Sequence, residues 1–289
     1  MKKITKAIIP VAGLGTRILP ASKTIPKEMF PIVDRPVIHY IVKEAVESGI
    51  RDIIFVTSST KRSLEDYFDV NCELESALVK KGKKSQLELV REMTTWANYY
   101  FVRQGEPRGD GDAILRARRL LAPDEACVVM WGDDVIIGAP VIKQMIKLWE
   151  KYQAPIVAVE EITGPAIEKY GVIAGKKVAP NLYHISHIIE KPKLEEAPSK
   201  LGIVGHYIMT SEVVDALIEQ EPAPDGEIRF SHALRDALVK TPVYAYRFSG
   251  QRFDCGSKLG WIQANIAMGL KDKEIGRDLK KYLAEFKPD

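Results

Sequence analysis

The sequence predicts an α/β fold in which helices cover a largely parallel sheet. Three observations predict it. Short apolar runs at 7–11, 53–56, 99–102 and 128–131 read as buried strands. Helical stretches alternate with them, as βαβ units require. The first and last of these runs end in Gly13-Leu14-Gly15 and Gly132-Asp133-Asp134. Open α/β sheets bind their ligands beyond the carboxyl ends of such strands.

The first run passes through Ala12 into Gly13-Leu14-Gly15-Thr16-Arg17, and Lys27 follows on a loop holding Pro20, Pro26 and Pro31. Glycines let a backbone approach a ligand closely, and successive N–H groups attract anions. Arg17 and Lys27 add fixed positive charge, so the stretch reads as a phosphate cradle for a nucleotide triphosphate. Taken alone, the GxG reads equally as a tight turn. It is not the dinucleotide fingerprint, because Ile18 stands where the third glycine belongs. Nor is it a Walker loop, because Gly15 is followed by Thr16-Arg17.

Asp34-Arg35-Pro36 then starts a helix, with Pro36 in its first turn. Val37, Ile38, Ile41, Val42, Ala45 and Val46 form its apolar stripe, and Gly49 ends it. After the strand at 53–56, residues 59–97 read as polar helices whose lysines at 80, 81, 83 and 84 form a solvated face and turn. The strand at 99–102 leads into Gln104-Gly105-Glu106-Pro107-Arg108-Gly109-Asp110-Gly111-Asp112. With its three glycines this reads as a second loop able to admit a ligand, and a helix is expected from about 113 to 121. An amphipathic helix follows the aspartate loop, with Val141, Ile142, Met145, Ile146 and Trp149 on one face, and then a strand at 156–159. The second half is richer in strands, at 170–173, 183–189, 203–209 and 243–248. Helices are expected at 212–219 and 227–240, and a helical tail at 258–286.

At 289 residues, 46% apolar and 28% charged, the chain can bury a substantial core. A net charge of +3 is too small to argue for nucleic acid or an anionic membrane as partner. No apolar run approaches the roughly eighteen residues of a membrane span. The basic start MKKITKAIIPVAG is too short in its apolar part, and holds a proline, to be a signal peptide. Cys72, Cys127 and Cys255 lie far apart and outside any CxxC, which suits a reducing cytoplasm and gives neither a disulfide framework nor a zinc site.

Three motifs carry chemistry. Asp133, at a strand end, suits Mg²⁺, a hard cation that shares oxygen ligands with substrate phosphates; such an aspartate also serves as a helix cap or turn former. Phe253-Asp254-Cys255-Gly256 offers a second carboxylate, which joins Asp133 only if the fold brings them together. In Ile189-Glu190-Lys191-Pro192, the lysine suits a phosphate and the glutamate suits sugar hydroxyls, or the two form a surface ion pair. His184 and His187, three apart on a strand, should face opposite sides. His39, on a helix with an apolar face, reads as a structural histidine. No Ser-His-Asp or Cys-His arrangement is present in the pattern.

Taken together, the stretches IPVAGLGTRILPASKTIPKEMFPIVDRP, VRQGEPRGDGDAI, GDD, VAVEE, YGVI, IIEKPKLEEAPSKLGIVGHYI, GEIRFSHAL and VYAYRFSGQRFDCGSKLG resemble the bacterial-type UTP–glucose-1-phosphate uridylyltransferases, within the sugar-nucleotide pyrophosphorylases. The resemblance implies a three-layer α/β/α Rossmann-like nucleotidyltransferase fold with a mixed, mostly parallel sheet. It implies one domain over 1–289: a nucleotide-binding half at about 1–135, a smaller strand-rich sugar-phosphate half at about 136–256, and C-terminal helices at 257–289. The implied reaction is Mg²⁺-dependent transfer of a uridylyl group from UTP to glucose 1-phosphate, giving UDP-glucose and pyrophosphate.

By the same resemblance, Ala12, Gly13 and Gly15 receive the nucleotide, with Arg17 and Lys27 on its triphosphate. Glu28, Gln104 and Gly109 surround the base. Asp133 and Asp254 hold Mg²⁺. Gly171, Glu190, Lys191 and Val204 face the sugar phosphate. The chain departs from the family's usual residues at Asp112, Trp131, Ser231, His232, Cys255 and Ser257. Asp112, in place of a histidine, brings negative charge to a nucleotide loop and leaves base preference open. Another triphosphate (dTTP or CTP), another sugar phosphate, and a sugar-nucleotide sensor without turnover remain as alternative readings. The C-terminal helix, mixed in apolar and charged residues, is a candidate contact for a homo-oligomer, dimer or tetramer.

Overall fold

In the computed structural model, which describes residues 3–287, two faces of one sheet are covered by separate groups of helices. The sheet begins with β1 (Lys6–Pro10), and a two-residue pair, β2 (Pro31–Ile32) and β3 (Arg35–Pro36), precedes α1 (Val37–Glu47). Next come β4 (Asp52–Thr57), α2 (Arg62–Phe68), α3 (Cys72–Lys80), α4 (Lys84–Glu92) and β5 (Asn98–Arg103). Then α5 (Asp110–Ala117), β6 (Cys127–Met130), β7 (Asp134–Ile137), α6 (Val141–Tyr152) and β8 (Ile156–Glu161). The hairpin β9 (Gly171–Ala179) and β10 (Leu182–Glu190) is followed by β11 (Leu201–Met209), α7 (Ser211–Glu219) and α8 (Phe230–Ala237). The chain ends with β12 (Tyr244–Arg247), β13 (Gln251–Asp254), α9 (Lys258–Gly269) and α10 (Gly276–Glu285).

The nine-stranded sheet runs β5-β4-β1-β6-β11-β8-β12-β10-β9. Seven of its strands point one way; β11 and β10 run against them. The sheet is therefore mixed and mostly parallel, as expected. Side chains alternate faces along each strand, and the core divides accordingly. Ala7, Ile9, Ile53, Phe55, Val128 and Met130 pack with α1 and α6. Ile8, Ile54, Val56 and Val129 pack with α5, α7 and α8 on the other face. Both faces being covered explains why these strands read as unbroken apolar runs rather than alternating ones.

From β1 the chain moves to β4 on one side and later to β6 on the other. The crevice between β1 and β6 is thus a topological switch point, where sheets of this kind hold ligands. The loops 11–30 and 131–133 both leave the sheet there.

Several expectations need correction. The polar stretch 59–97 holds three helices, and the tail two. Pro36 caps α1 from outside rather than occupying its first turn. α5 starts at Asp110, three residues early, and α8 at Phe230, three residues late. β7 was not foreseen; it pairs antiparallel with β13, setting Asp134 opposite Asp254. A register shift between Ile185 and His187 breaks the two-residue period of β10. Ile185 and Ile188 are both buried as a result, and His184 and His187 are both exposed rather than on opposite sides. His39 is structural as expected: it is buried, with Nδ1 2.9 Å from the Tyr67 hydroxyl. Burial, with Arg35 and Lys43 nearby, pushes its pKa down to about 4.

Candidate active site

The glycine turn after β1 holds Gly15 at φ +67, where it precedes a short 3₁₀ turn over Thr16–Ile18. A Cβ on Gly13 would meet nothing within 4 Å, so the turn is open above that residue. Ala12 is buried at the strand end. The 3₁₀ turn presents Arg17, and a second one, Lys27–Met29, presents Lys27. Both cations point to the carboxylates of the other loop. Lys27 Nζ lies 2.5 Å from Asp133 Oδ2, and Arg17 lies 3.6 Å from Asp133 and 2.9 Å from Asp254.

Asp133 and Asp254 are brought together by the β7–β13 ribbon, where Cys255 N–H also donates to the Asp133 carbonyl at 2.8 Å. Gly256 sits between them: a Cβ there would collide with Asp133 Oδ2 and Arg17 Nη2 and lie 3.0 Å from Asp254 Oδ1. Two hard oxygen donors thus converge on one point that only a glycine leaves open. No cluster of three or more His, Cys, Asp or Glu able to hold a metal exists among the described residues. A two-carboxylate site of this kind fits Mg²⁺, which takes one or two carboxylates plus substrate phosphates, and not a closed structural zinc site. Burial alone would raise the Asp133 pKa, but Lys27 and Arg17 hold it below the usual carboxylate range. Burial works against the Lys27 ammonium, but Asp133 and Glu28 together hold its pKa above the ordinary lysine value.

Below this centre lies a second ion pair that sequence reasoning did not find. Glu28 is 1% exposed, and its Oε2 accepts from Lys61 Nζ at 2.8 Å, Lys61 being 5% exposed. Burial pushes Glu28 up and Lys61 down, each opposed by the other's charge. Glu28 is thus placed beneath the cleft rather than on its surface. Asp134, also buried, accepts from Gly205 N–H at 2.7 Å and from Arg252 Nε at 2.7 Å. Arg252 reaches on to Glu160 at 3.3 Å and to the Tyr170 hydroxyl at 3.2 Å. This network ties the aspartate loop to the strand-rich half. Only the two adjacent aspartates hinted at it in the sequence.

Two glycines of the second loop have a packing role that the sequence pattern does not show. Gly109 has φ +96, and a Cβ on it would collide with the Ile228 carbonyl and lie 3.0 Å from Ile228 N. Gly111 N–H donates to Ile228 O at 2.9 Å, and Ile228 N–H donates to Arg108 O at 2.8 Å. Two of the three glycines therefore admit another backbone segment. The charge at Asp112 is also accounted for. It is buried, accepting from Gln104 Nε2 at 2.8 Å and pairing with Arg116 at 2.9 Å. Gln104 donates to Gly109 O as well, at 3.0 Å. Ser257, another departure, accepts from Gly260 N–H and caps α9, a role that serine and aspartate share.

At the other end, a cleft of about 230 Å³ opens between the ribbon and the hairpin, lined by Asp133, Asp254, Gly171, Glu190, Val204 and Trp131 among others. Gly171 stands opposite Glu190 across the hairpin, and its Cβ would approach Glu190 Oε2 to 3.1 Å. Trp131 packs edge-on against Tyr207 at 5.3 Å, and Ser231 completes that wall. Lys191 does not line the cleft. It is exposed at the rim with φ +48, its Nζ 3.6 Å from Glu190. The site therefore joins a cationic loop, a carboxylate pair and an acceptor-rich pocket, which suits two anionic ligands meeting at a divalent cation.

Comparison with known proteins places the chain among nucleotidyl transferases. A nucleotidyl transferase family model matches residues 6–268. The chain is 44% identical to the UTP–glucose-1-phosphate uridylyltransferase of Staphylococcus epidermidis, over 99% of each chain. Among solved structures, a UTP-bound UGPase from Acinetobacter baumannii superposes with a TM-score of 0.88 at 38% identity, covering 98% of this chain and all of that one. A UDP-glucose pyrophosphorylase complexed with UDP-glucose gives a TM-score of 0.84 at 41% identity, covering 93% of this chain and all of that one.

Proposed function

The chain belongs to the nucleotidyl transferase family, and from that premise we propose that its cleft transfers a uridylyl group from UTP to glucose 1-phosphate, releasing UDP-glucose and pyrophosphate. The observation that carries this reading is the meeting of Arg17 and Lys27 with Asp133 and Asp254 at one point beyond the sheet.

A phosphate oxygen of glucose 1-phosphate attacks the α-phosphorus of UTP. The new P–O bond forms as the bond to the bridging α–β oxygen breaks, and pyrophosphate leaves with that oxygen. The nucleophile is already anionic, so no general base is needed. Catalysis is then positioning and charge stabilisation. Ala12, Gly13 and Gly15 give the triphosphate backbone room, and Arg17 and Lys27 neutralise it. Gln104 and Gly109 border the base, with Glu28 supporting the lysine loop from below. Gly171, Glu190 and Val204 face the sugar, with Lys191 at the rim. Mg²⁺ held by Asp133 and Asp254 would draw charge from the α-phosphate.

The test is a coupled assay with purified protein, Mg²⁺, glucose 1-phosphate and each triphosphate in turn, following pyrophosphate. Release with UTP in clear preference to dTTP and CTP is expected. No release with any triphosphate would refute the reading. Asp133→Asn should lower turnover by at least about 10²-fold, and near-normal turnover would remove Asp133 from the site.

A further inference from the structure

Most of the charge facing the cleft is already paired. Arg17 is committed to Asp133 and Asp254, and Arg252 to Asp134 and Glu160. Lys169 is the third cation lining the cleft, and it has no ion-pair partner among the described residues. Counting the lining side chains, five carboxylates (Asp110, Asp133, Asp134, Glu190, Asp254) stand against these three cations, a balance of −2. At the strand-rich end, Lys169 is the lining cation that no carboxylate holds, and so it is open to an entering anion.

Lys169 is also held in position. It is the last residue of the 3₁₀ turn over Gly164–Lys169, next to Tyr170. Tyr170 N–H donates to Ile167 O at 3.1 Å, its carbonyl accepts from Lys191 N–H at 3.1 Å, and its hydroxyl bonds Arg252. The backbone that carries Lys169 is thus anchored on three sides, while the residue itself is exposed.

We propose that Lys169 is a further binding residue of the strand-rich end and takes the phosphate of the sugar 1-phosphate. Lysine suits this as a point charge on a flexible stem, able to follow the phosphate as it approaches the nucleotide. The proposal rests on the reaction proposed above.

Two readouts test it, on Lys169→Met and Lys169→Arg in the full chain: KM for each substrate, and direct calorimetric binding of glucose 1-phosphate. In Lys169→Met, KM for glucose 1-phosphate should rise about tenfold, the scale of a lost charge-assisted bond. KM for UTP should stay as in the parent, and Lys169→Arg should recover most of the loss. Parent-like KM for glucose 1-phosphate in Lys169→Met would overturn the assignment while leaving the reaction intact. If the parent releases no pyrophosphate, the reaction fails. Binding of glucose 1-phosphate that weakens in Lys169→Met still upholds this role, and equal binding by parent and variant overturns it.

Discussion

Replacing Lys61 by methionine isolates the buried pair beneath the cationic loop. The Glu28 and Lys61 side chains are 1% and 6% exposed and 2.8 Å apart. Breaking such a pair from one side leaves an uncompensated buried charge, which costs about 3–5 kcal/mol. Lys27 also attracts Glu28, so the low end of that range is expected. At about 2.1 cal/mol/K per residue, a chain this long has an unfolding entropy near 0.6 kcal/mol/K, and a loss of about 3 kcal/mol becomes roughly 5 °C in Tm. Thermal and urea denaturation of Lys61→Met at pH 7.5 measure it. Adding Glu28→Gln removes the stranded charge and should recover most of the difference. The acid side supplies a second check. Glu28 has a folded pKa above its unfolded value of about 4.3. The variant's penalty therefore builds as pH rises from there and fades on acidification, when the carboxyl enters the fold neutral. A Lys61→Met protein within about 1 kcal/mol of the parent at pH 7.5 would refute the view that these charges hold one another ionised.

Gly256→Ala should cost little in Tm, because the three atoms nearest the new methyl are side-chain ends of Asp133, Arg17 and Asp254 that can give way, and no backbone is among them. Pyrophosphate release should fall by about 10²-fold, the scale of a small misplacement of reacting groups; parent-like turnover would show that the two carboxylates do not work together. His39 has a folded pKa of about 4 against about 6.5 unfolded. Its neutral form thus contributes stability that is complete above about pH 6.5 and is lost as pH falls toward 4, roughly 3 kcal/mol in all. Urea unfolding of His39→Gln across that interval should show a shallower pH slope than the parent, and identical slopes would assign the acid sensitivity elsewhere.

The parts of the molecule legible in the sequence are those set by local pattern. β1, β4 and β6 are runs buried on both faces, and α1 and α6 carry plain apolar stripes. Site residues on the first loop were legible because glycines and cations cluster within a few positions. What was missed depends on partners far along the chain. β7 is four residues long and exists through its pairing with β13, more than a hundred residues away. A glycine gives no hint whether it leaves open space, as above Gly13, or makes room for Ile228, as at Gly109 and Gly111. Lys61 falls in a stretch that reads only as polar helix, and its burial follows from Glu28 on a different loop. The bulge in β10 defeated the two-residue period, so the histidines there were assigned to the wrong sides.

The ribbon of β7 and β13 also orders events in time. Arg17 bonds Asp254, a partner 237 residues later in the chain. A nascent chain that has emerged as far as β12 has every strand of the large sheet but no Asp254 to complete the carboxylate pair. Closing so long a loop is an entropic cost met late, after shorter-range contacts have formed. On the proposed reaction, recovery of turnover during refolding should therefore trail the return of sheet structure.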